Sequence, residues 1–213
     1  MSSYYPIFLQ LQGRACVVVG GGAVALRKVE SLQAAGAKVR VIAPRLDESL
    51  QSMATQQMVE WIGRDYRKGD LDGACLVIAA TDDRLTNEEV RNEAESQSIP
   101  VNVVDVPELC DFILPAVIDR GEVTIAFSTG GSSPALARRL RCMLEETIGP
   151  EYGQFAQLLG ELRPEVKQRI SEQGKRAAFW QRLVESDIPE LLRQGNTDAV
   201  QDKINAAFRE ETS

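Results

Sequence analysis

The chain has 213 residues, of which 44% are hydrophobic and 26% charged, a composition typical of a globular protein with a sizeable core. Its formal net charge of −7 and the lack of a long basic run argue against a general nucleic-acid-binding surface. The absence of histidine excludes Ser-His-Asp and Cys-His catalysis and histidine-based zinc or iron sites, so acid–base chemistry falls to carboxylates, tyrosines, lysines or cysteines.

Neither a membrane span nor a leader peptide is expected. No apolar segment approaches the roughly 20 residues that cross a bilayer, and the polar start at residues 1–6 lacks a signal-peptide pattern. The cysteines lie far apart, form no C-x-x-C pair and are expected to be free thiols: Cys16, Cys75, Cys110 and Cys142. The sequence therefore predicts a cytoplasmic protein that binds neither membrane nor nucleic acid.

The first predicted unit is a strand, a glycine-rich turn and a helix. An apolar run at residues 16–19 leads into three glycines, and helical character extends over residues 23–35. The spacing Gly20-x-Gly22-x-x-Ala25 fits the G-x-G-x-x-G/A fingerprint of dinucleotide-binding folds. Gly20 would permit a tight turn, Gly22 would let backbone N–H groups approach a pyrophosphate, and the helix N-terminus would face the anion. The alternative is a glycine-rich turn of a βαβ unit that binds no ligand.

Strands and helices continue to alternate, as in a parallel sheet with crossover helices. We predict further strands at residues 38–43, 59–62, 75–80 and 100–105, with helices at 46–58 and 87–98. The second strand ends at Ala43, Pro44 and Arg45, without the acidic residue that often binds the ribose hydroxyls of NAD. Arg45 is either a solvated surface charge or a partner for the 2′-phosphate of NADP.

Polar residues follow two of these predicted strands. Thr81 and Asp82 follow the longest apolar run, and ligands of open α/β sheets bind beyond the carboxyl ends of the strands. The same segment is also suited to cap the next helix. Asp105 ends its strand between apolar residues, where a carboxylate would serve as a proton acceptor. The alternative for Asp105 is a turn-forming aspartate before Pro107.

The pattern changes after residue 115. Two strands joined by a turn at 119–121 are predicted, followed by a helix with Ser133 as its N-cap. The hydroxyls of Ser128 and Thr129 and the helix start form a corner suited to anions, or simply the exit of a hairpin. Arg138 and the arginines beside it either help to bind a polycarboxylate or form a solvated face.

From residue 149 onward only helices are expected, at residues 152–162, 164–173, 176–185, 188–194 and 197–208. Apolar side chains in this part are expected to form its own core rather than a cofactor site: Phe155, Leu158, Leu159, Phe179, Trp180 and Leu183.

Taken together, these segments resemble the precorrin-2 dehydrogenase and sirohydrochlorin ferrochelatase family, the N-terminal part of siroheme synthases and their stand-alone relatives. The resemblance rests on PIFLQLQGRACVVVGGGAVALRKVESLQAAGA, VIAATDD and VNVVDVPELCDFILPAVIDRGEVTIAFSTGGSSPALARRLR. It extends from about residue 5 to the helical tail. The succession of NVVD, F-I-x-P and S-T-G-G-S-S-P makes it specific.

The resemblance implies NAD-dependent oxidation of precorrin-2 to sirohydrochlorin by a homodimer, a step toward siroheme or cobalamin. The implied fold is a Rossmann-type parallel sheet, a small α+β dimerisation region and a helical C-terminal module, at residues 1–113, 114–148 and 149–213. Because the chain ends near residue 213, without the methyltransferase portion of fused siroheme synthases, it is not expected to make precorrin-2 itself.

The resemblance also implies roles for individual residues; the glycine spacing and the strand ends add Gly20, Gly22, Thr81 and Asp82, and the carboxylates of the substrate add Arg120 and Arg138. Asp105 is the implied catalytic residue. The candidate cofactor-binding residues are Gly20, Gly22, Ala23, Val24, Pro44, Arg45, Thr81 and Asp82. The candidate substrate-binding residues are Ser128, Thr129, Arg120 and Arg138. No resident metal site is expected, and ferrous iron enters only as a substrate if the chain is also a ferrochelatase. The alternatives are a dehydrogenase without chelatase activity and a non-catalytic NAD(H)-sensing dimer.

Overall fold

The computed structural model describes residues 4–212, so the first three residues of the polar start lie outside it. The chain divides into two compact units, Met1–Leu114 and Pro115–Ser213. Within the described residues, no helix is both long and apolar enough to cross a bilayer. The four cysteines are free, as predicted.

The first unit contains a five-stranded parallel sheet in the order β3-β2-β1-β4-β5. Its strands are β1 (Ala15–Val19), β2 (Lys38–Ile42), β3 (Glu60–Ile62), β4 (Leu76–Ala79) and β5 (Val101–Val103). Its helices are α1 (Ala23–Ala34), α2 (Glu48–Thr55) and α3 (Arg84–Ser96), and a short 3-10 helix covers Pro107–Leu109. The order changes direction between β1 and β4, which is the topological switch point of such sheets.

The central strands are apolar throughout because both of their faces are buried. Val18 and Ile78 belong to a core cluster with α1, whereas Val17 and Val77 belong to a second cluster with α3. Side chains alternate between the two faces of a strand, so the clusters cover opposite faces of the sheet. The predicted Rossmann-type sheet is therefore confirmed.

Capping aspartates set two helix starts that the predicted ranges miss. The carboxylate of Asp47 accepts a hydrogen bond of 2.9 Å from the N–H of Ser49, so α2 begins at Glu48 rather than at residue 46. The carboxylate of Asp83 accepts from the N–H groups of Leu85 and Thr86, so α3 begins before the predicted residue 87.

The second unit opens with an antiparallel hairpin of β6 (Ala116–Arg120) and β7 (Val123–Phe127). The predicted turn at residues 119–121 is wrong, because Asp119 pairs with Thr124 and Arg120 with Val123. The turn residues are Gly121, with φ of +70°, and Glu122.

Five helices complete the second unit: α4 (Pro134–Thr147), α5 (Pro150–Arg169), α6 (Gln173–Val184), α7 (Ile188–Arg193) and α8 (Thr197–Thr212). The small α+β part and the helical part follow each other as predicted. The prediction of two separate helices at residues 152–162 and 164–173 is wrong, since α5 continues through Pro164. Proline in a helix costs about 3 kcal/mol. Phe155 before the proline and Val166 and Ile170 after it are buried in one core, and burial contributes about 1.5–3 kcal/mol for each such side chain, which outweighs that cost.

Phe179 lies at the centre of the α5–α8 core. It is fully buried, and its ring centroid is 4.6 Å from that of Phe208. The core contains all six apolar side chains that the sequence predicts for it. This helical part thus has a core of its own.

Truncation of Phe179 is expected to destabilise the helical part. We expect Phe179→Ala to lower the free energy of unfolding by about 3–5 kcal/mol, because it removes a buried ring and leaves a cavity. Urea denaturation followed by helical circular dichroism measures this change in the full chain. The exposed neighbour Gln181 provides a control, and Gln181→Ala should change the value by less than about 0.5 kcal/mol. Equal effects of the two substitutions would contradict the assignment of this core.

Candidate functional site

The turn after β1 is packed so closely that its first two residues have no room for side chains. Gly20 has φ of +128°, and a Cβ atom on it would overlap the carbonyl oxygen of Ala80, after β4. A Cβ atom on Gly21 would overlap the carbonyl oxygen of Arg45, after β2. The N–H of Gly20 also donates to the carbonyl oxygen of Ile42 at 2.9 Å. The turn is therefore held between the ends of β2 and β4.

The third glycine of the turn has different surroundings. Gly22 is exposed, and a Cβ atom on it would meet nothing within 4 Å. Gly22 is the N-cap of α1, and no side chain caps this helix start or places an acid in its first turn. The first N–H groups of a helix have no partner within the helix and favour an anion. The space and the donors at this point fit the pyrophosphate of a dinucleotide, with Ala23 exposed and Val24 half-buried beside it.

The end of β2 contributes a cation and no free carboxylate. Pro44 and Arg45 are exposed, and in the described part of the chain no carboxylate lies within 4 Å of the Arg45 guanidinium. Asp47 is used as the cap of α2. Trp61, which the sequence analysis did not single out, donates its Nε1 hydrogen to the carbonyl oxygen of Ala43 at 2.9 Å. This bond joins the ends of β2 and β3.

After β4, the polar segment caps α3. The Thr81 hydroxyl donates to the carbonyl oxygen of Asp83 at 3.0 Å, and the Asn87 side-chain amide donates to the carbonyl oxygen of Thr81 at 3.0 Å. Asp82 is exposed at the same strand end. The capping role of this segment is confirmed for Asp83, whose backbone Thr81 holds, and the cofactor role of Thr81 and Asp82 stays a prediction.

Asp105 lies just beyond β5, and its carboxylate side chain is exposed. Its φ of +61° is in the left-handed region, which costs non-glycine residues on the order of 1 kcal/mol and which aspartate tolerates better than most. The N–H of Val104 donates to the carbonyl oxygen of Ala79 at 2.9 Å, and the N–H of Val106 donates to that of Val103 at 3.2 Å. The turn interpretation is confirmed, and a catalytic role of the same residue remains compatible with it.

These residues meet at one edge of the sheet because they all follow parallel strands. Gly20 follows β1, Arg45 follows β2, Thr81 follows β4 and Asp105 follows β5. The carboxyl edge of the sheet thus combines an anion-binding helix start, a cation and an exposed carboxylate.

In the second unit, the predicted hydroxyls shape the loop before α4. The Ser128 hydroxyl accepts a hydrogen bond of 3.0 Å from the N–H of Gly130, and the Thr129 hydroxyl accepts one of 3.2 Å from the N–H of Ser133. Ser133 caps α4, as predicted, by accepting from the N–H of Leu136. Both predicted residues therefore lie at the start of this helix.

The two predicted arginines of this unit have different surroundings. Arg120 donates from Nε to the carbonyl oxygen of Ile148 and from Nη1 to that of Asp119, both at 3.0 Å. Arg138 is exposed, and in the described part of the chain its guanidinium has no carboxylate partner. Arg141 on the same helix pairs with Glu145 at 3.0 Å. Arg138 is thus free to bind an anion, whereas Arg120 already holds the end of α4.

Unit 1 has the sheet and glycine turn of a Rossmann-type dinucleotide-binding domain. A family model described as putative NAD(P)-binding matches residues 7–116, and one described as the sirohaem synthase dimerisation region matches residues 151–208. The chain belongs to this NAD(P)-binding family.

The relatives support this assignment along nearly the whole chain. The siroheme synthase of Thioalkalivibrio sulfidiphilus is 45% identical over 205 residues, which are 96% of this chain and 42% of that protein. The siroheme synthase of Nitrosococcus oceani is 43% identical over 205 residues, 96% of this chain and 44% of that protein. The chain therefore spans less than half the length of these relatives. The solved structure of SirC, a precorrin-2 dehydrogenase, has the same fold, with a TM-score of 0.77, 24% identity and coverage of 94% of this chain and 98% of that one.

The model for the dimerisation region matches the helices α5 to α8 rather than residues 114–148, to which the sequence analysis assigns dimerisation. The predicted division of the chain at residues 113 and 148 stays a prediction.

Two glycines of the turn, Gly21 and Gly22, are expected to respond differently to one added methyl group. We expect Gly22→Ala to leave the apo protein as stable as the wild type, since the site has room, and to weaken NADH binding about 10-fold, or ~1.4 kcal/mol. Gly21→Ala should destabilise the apo protein by about 2 kcal/mol, because the methyl group overlaps a backbone oxygen. Thermal unfolding and NADH fluorescence titration measure the two effects.

Gly160→Ala is the matched control, since Gly160 lies in α5 and also has open space around it. Gly160→Ala should leave the NADH affinity unchanged and should not lower the stability of the protein. Unchanged NADH affinity in the Gly22→Ala protein would contradict a pyrophosphate site at this residue.

Proposed function

We propose that this chain catalyses the NAD-dependent oxidation of precorrin-2 to sirohydrochlorin. The observation that carries the proposal is the exposed carboxylate of Asp105 at the sheet edge that holds the dinucleotide-type glycine turn. Support also comes from the relatives that are named siroheme synthase and match 96% of this chain.

We propose that the dinucleotide lies along the carboxyl edge of the sheet. The start of α1 would bind the pyrophosphate, with Gly20 and Gly22 in the turn and Ala23 and Val24 in the first helical turn. Pro44 and Arg45 would border the adenosine, and Thr81 and Asp82 would line the crevice between β1 and β4. NAD is proposed on the family resemblance. Arg45, whose guanidinium has no carboxylate partner among the described residues, makes NADP the alternative that a parallel titration tests.

When bound, the nicotinamide supplies the hydride acceptor for the dehydrogenation. The substrate also loses a proton, and in a chain without histidine we assign that proton to the carboxylate of Asp105. The hydrogen bond from Val104 to Ala79 holds the residue before Asp105 against the end of β4, so the backbone next to Asp105 is fixed in position. In this proposal Asp105 accepts the proton that the substrate loses, while the start of α1 binds the cofactor.

The substrate side of the proposal uses the second unit. Precorrin-2 carries carboxylate side chains, which arginine binds well. Arg138, whose guanidinium has no carboxylate partner among residues 4–212, is a stronger candidate than Arg120, which donates to two carbonyl oxygens. Ser128 and Thr129 would line the tetrapyrrole pocket at the start of α4.

We further propose that the chain forms a homodimer whose interface includes the hairpin and α4, next in sequence to the helices α5 to α8 that the dimerisation-region model matches. Within the chain, α4 buries none of its residues, and an isolated helix of 14 residues is marginal in water. Its Leu136 is 50% exposed and Met143 46%, and Val117 of β6 is 43% exposed. A second copy would cover these apolar side chains. The cytoplasm is the proposed compartment, which is consistent with four free thiols.

Replacement of Asp105 tests the proposed chemistry. With precorrin-2 and NAD under anaerobic conditions, we expect Asp105→Asn to lower the rate of NADH formation about 100-fold, because the proton acceptor is lost. NAD affinity should stay within twofold, since Asp105 is not assigned to the cofactor. Glu108→Gln removes an exposed carboxylate from the adjoining 3-10 helix and should keep the full rate. An Asp105→Asn protein with wild-type turnover would refute the assignment.

The same assay tests ferrochelation, which we propose as a second, lyase activity. Ferrous iron is treated as a substrate, and Asp105 would accept the protons of the pyrrole nitrogens. Residues 4–212 contain no group of three or more His, Cys, Asp or Glu side chains placed to hold a metal. Siroheme formation faster than the protein-free control supports this activity, and a rate equal to the control limits the protein to dehydrogenation.

A charge on the exposed face of α4 tests the dimer. In light scattering after gel filtration, the wild type should have twice the chain mass of 23.4 kDa, and Leu136→Glu should have the mass of a single chain. The introduced carboxylate would lie unpaired in an apolar interface, which is strongly unfavourable. Leu85→Glu is the control, since Leu85 is 70% exposed in the first unit. A Leu136→Glu dimer would contradict this interface.

A further inference from the structure

The two sides of α1 face different strands of the sheet. Ala25, Val29 and Leu32 form the buried stripe of the helix. On one side of this stripe, Gln33 donates its Nε2 hydrogen to the carbonyl oxygen of Met58 at 2.7 Å, just before β3. Because the strand order is β3-β2-β1-β4-β5, the other side of the stripe faces β4 and β5.

Lys28 lies on that other side. It follows Val24 by one helical turn, so both share a side of the helix, and both are half-buried. Val104, at the end of β5, packs against the core cluster that contains Ala25 and Val29. The residue after Val104 is Asp105. The helix geometry therefore directs the only lysine of α1 toward the end of β5.

The charges around Lys28 agree with this placement. Burial and the neighbouring Arg27 lower the pKa of the Lys28 ammonium, whereas the carboxylate of Asp105 acts in the opposite direction and raises that pKa. Arg27 lies on α1 itself and is exposed, and Asp105 is the charged group that acts on Lys28 from another element.

We propose that Lys28 is a positioning residue for Asp105: its ammonium attracts the carboxylate toward the side of the dinucleotide crevice on which α1 lies, although among the described residues the two groups form no direct ion pair. An exposed aspartate in a turn has several side-chain rotamers, and a cation on one side favours those that point toward it. A proton acceptor that is held in the reactive orientation gives a faster reaction than one that samples several orientations. The mechanistic part of this inference rests on the proposed role of Asp105, whereas the attraction between the two charges does not.

The attraction is measurable without catalysis. Reductive ¹³C-methylation of the full chain, with Lys28→Arg to assign the signal, gives the titration of Lys28 by NMR. We expect Asp105→Asn to lower the pKa of Lys28, because an opposite charge nearby stabilises the ammonium. Arg27→Gln should raise that pKa, and Glu108→Gln should not change it. An identical Lys28 titration in the wild type and the Asp105→Asn protein would overturn the inference.

Kinetics test the positioning role. We expect Lys28→Met to lower kcat for dehydrogenation about 10-fold with NAD affinity within twofold, and Lys28→Arg, which keeps the charge, to restore most of kcat. A Lys28→Met protein that is folded by circular dichroism and keeps wild-type kcat would overturn the positioning role.

The two sets of results separate this inference from the proposed function. If Asp105→Asn shifts the Lys28 titration but leaves turnover intact, the attraction between the charges stands and the catalytic role of Asp105 fails. If Asp105→Asn abolishes turnover without moving the Lys28 titration, the proposed function stands and the inference about Lys28 fails.

Discussion

Two backbone carbonyl oxygens, those of Ala80 and Arg45, leave no room for side chains on Gly20 and Gly21. This close packing holds the turn after β1 against the ends of β4 and β2, and so determines where α1 begins. The third glycine, Gly22, stays clear of these contacts and leaves space in front of the helix start. The proposed anion site has room here because neighbouring strands take up the space on one side of the turn and leave the other side open.

The same arrangement links the turn to the proposed chemistry. β1 lies between β2 and β4, and β5 pairs with β4, so every residue assigned to the first unit follows a strand whose position depends on β1. Asp105 stands two strands from the glycine turn, supported by the hydrogen bond from Val104 to Ala79. Lys28 lies on the side of α1 that faces the same strand end. In the proposed mechanism this one edge of the sheet binds the cofactor, accepts the proton and orients the acceptor.

Most of the fold could be predicted from the sequence because it depends on local patterns. The central strands are continuous apolar runs, and the glycine spacing defines the first βαβ unit. The first residues of the helices could not be predicted in this way, since they depend on which aspartate is the N-cap. Asp47 is the N-cap of α2, and Asp83 is the N-cap of α3. The continuation of α5 through Pro164 depends on a core assembled from distant segments. In the site, the sequence analysis missed Gly21 and Trp61 for the same reason, because their surroundings depend on contacts with residues far away in the chain.

The most direct test of this account is the stoichiometry of the wild-type reaction. Purified protein, precorrin-2 and NAD are incubated without oxygen, and NADH and sirohydrochlorin are quantified over time. The account predicts that the two products appear together in a one-to-one ratio that depends on the protein. Binding of NAD at the glycine turn without formation of NADH would contradict it and would favour a nucleotide-sensing dimer instead.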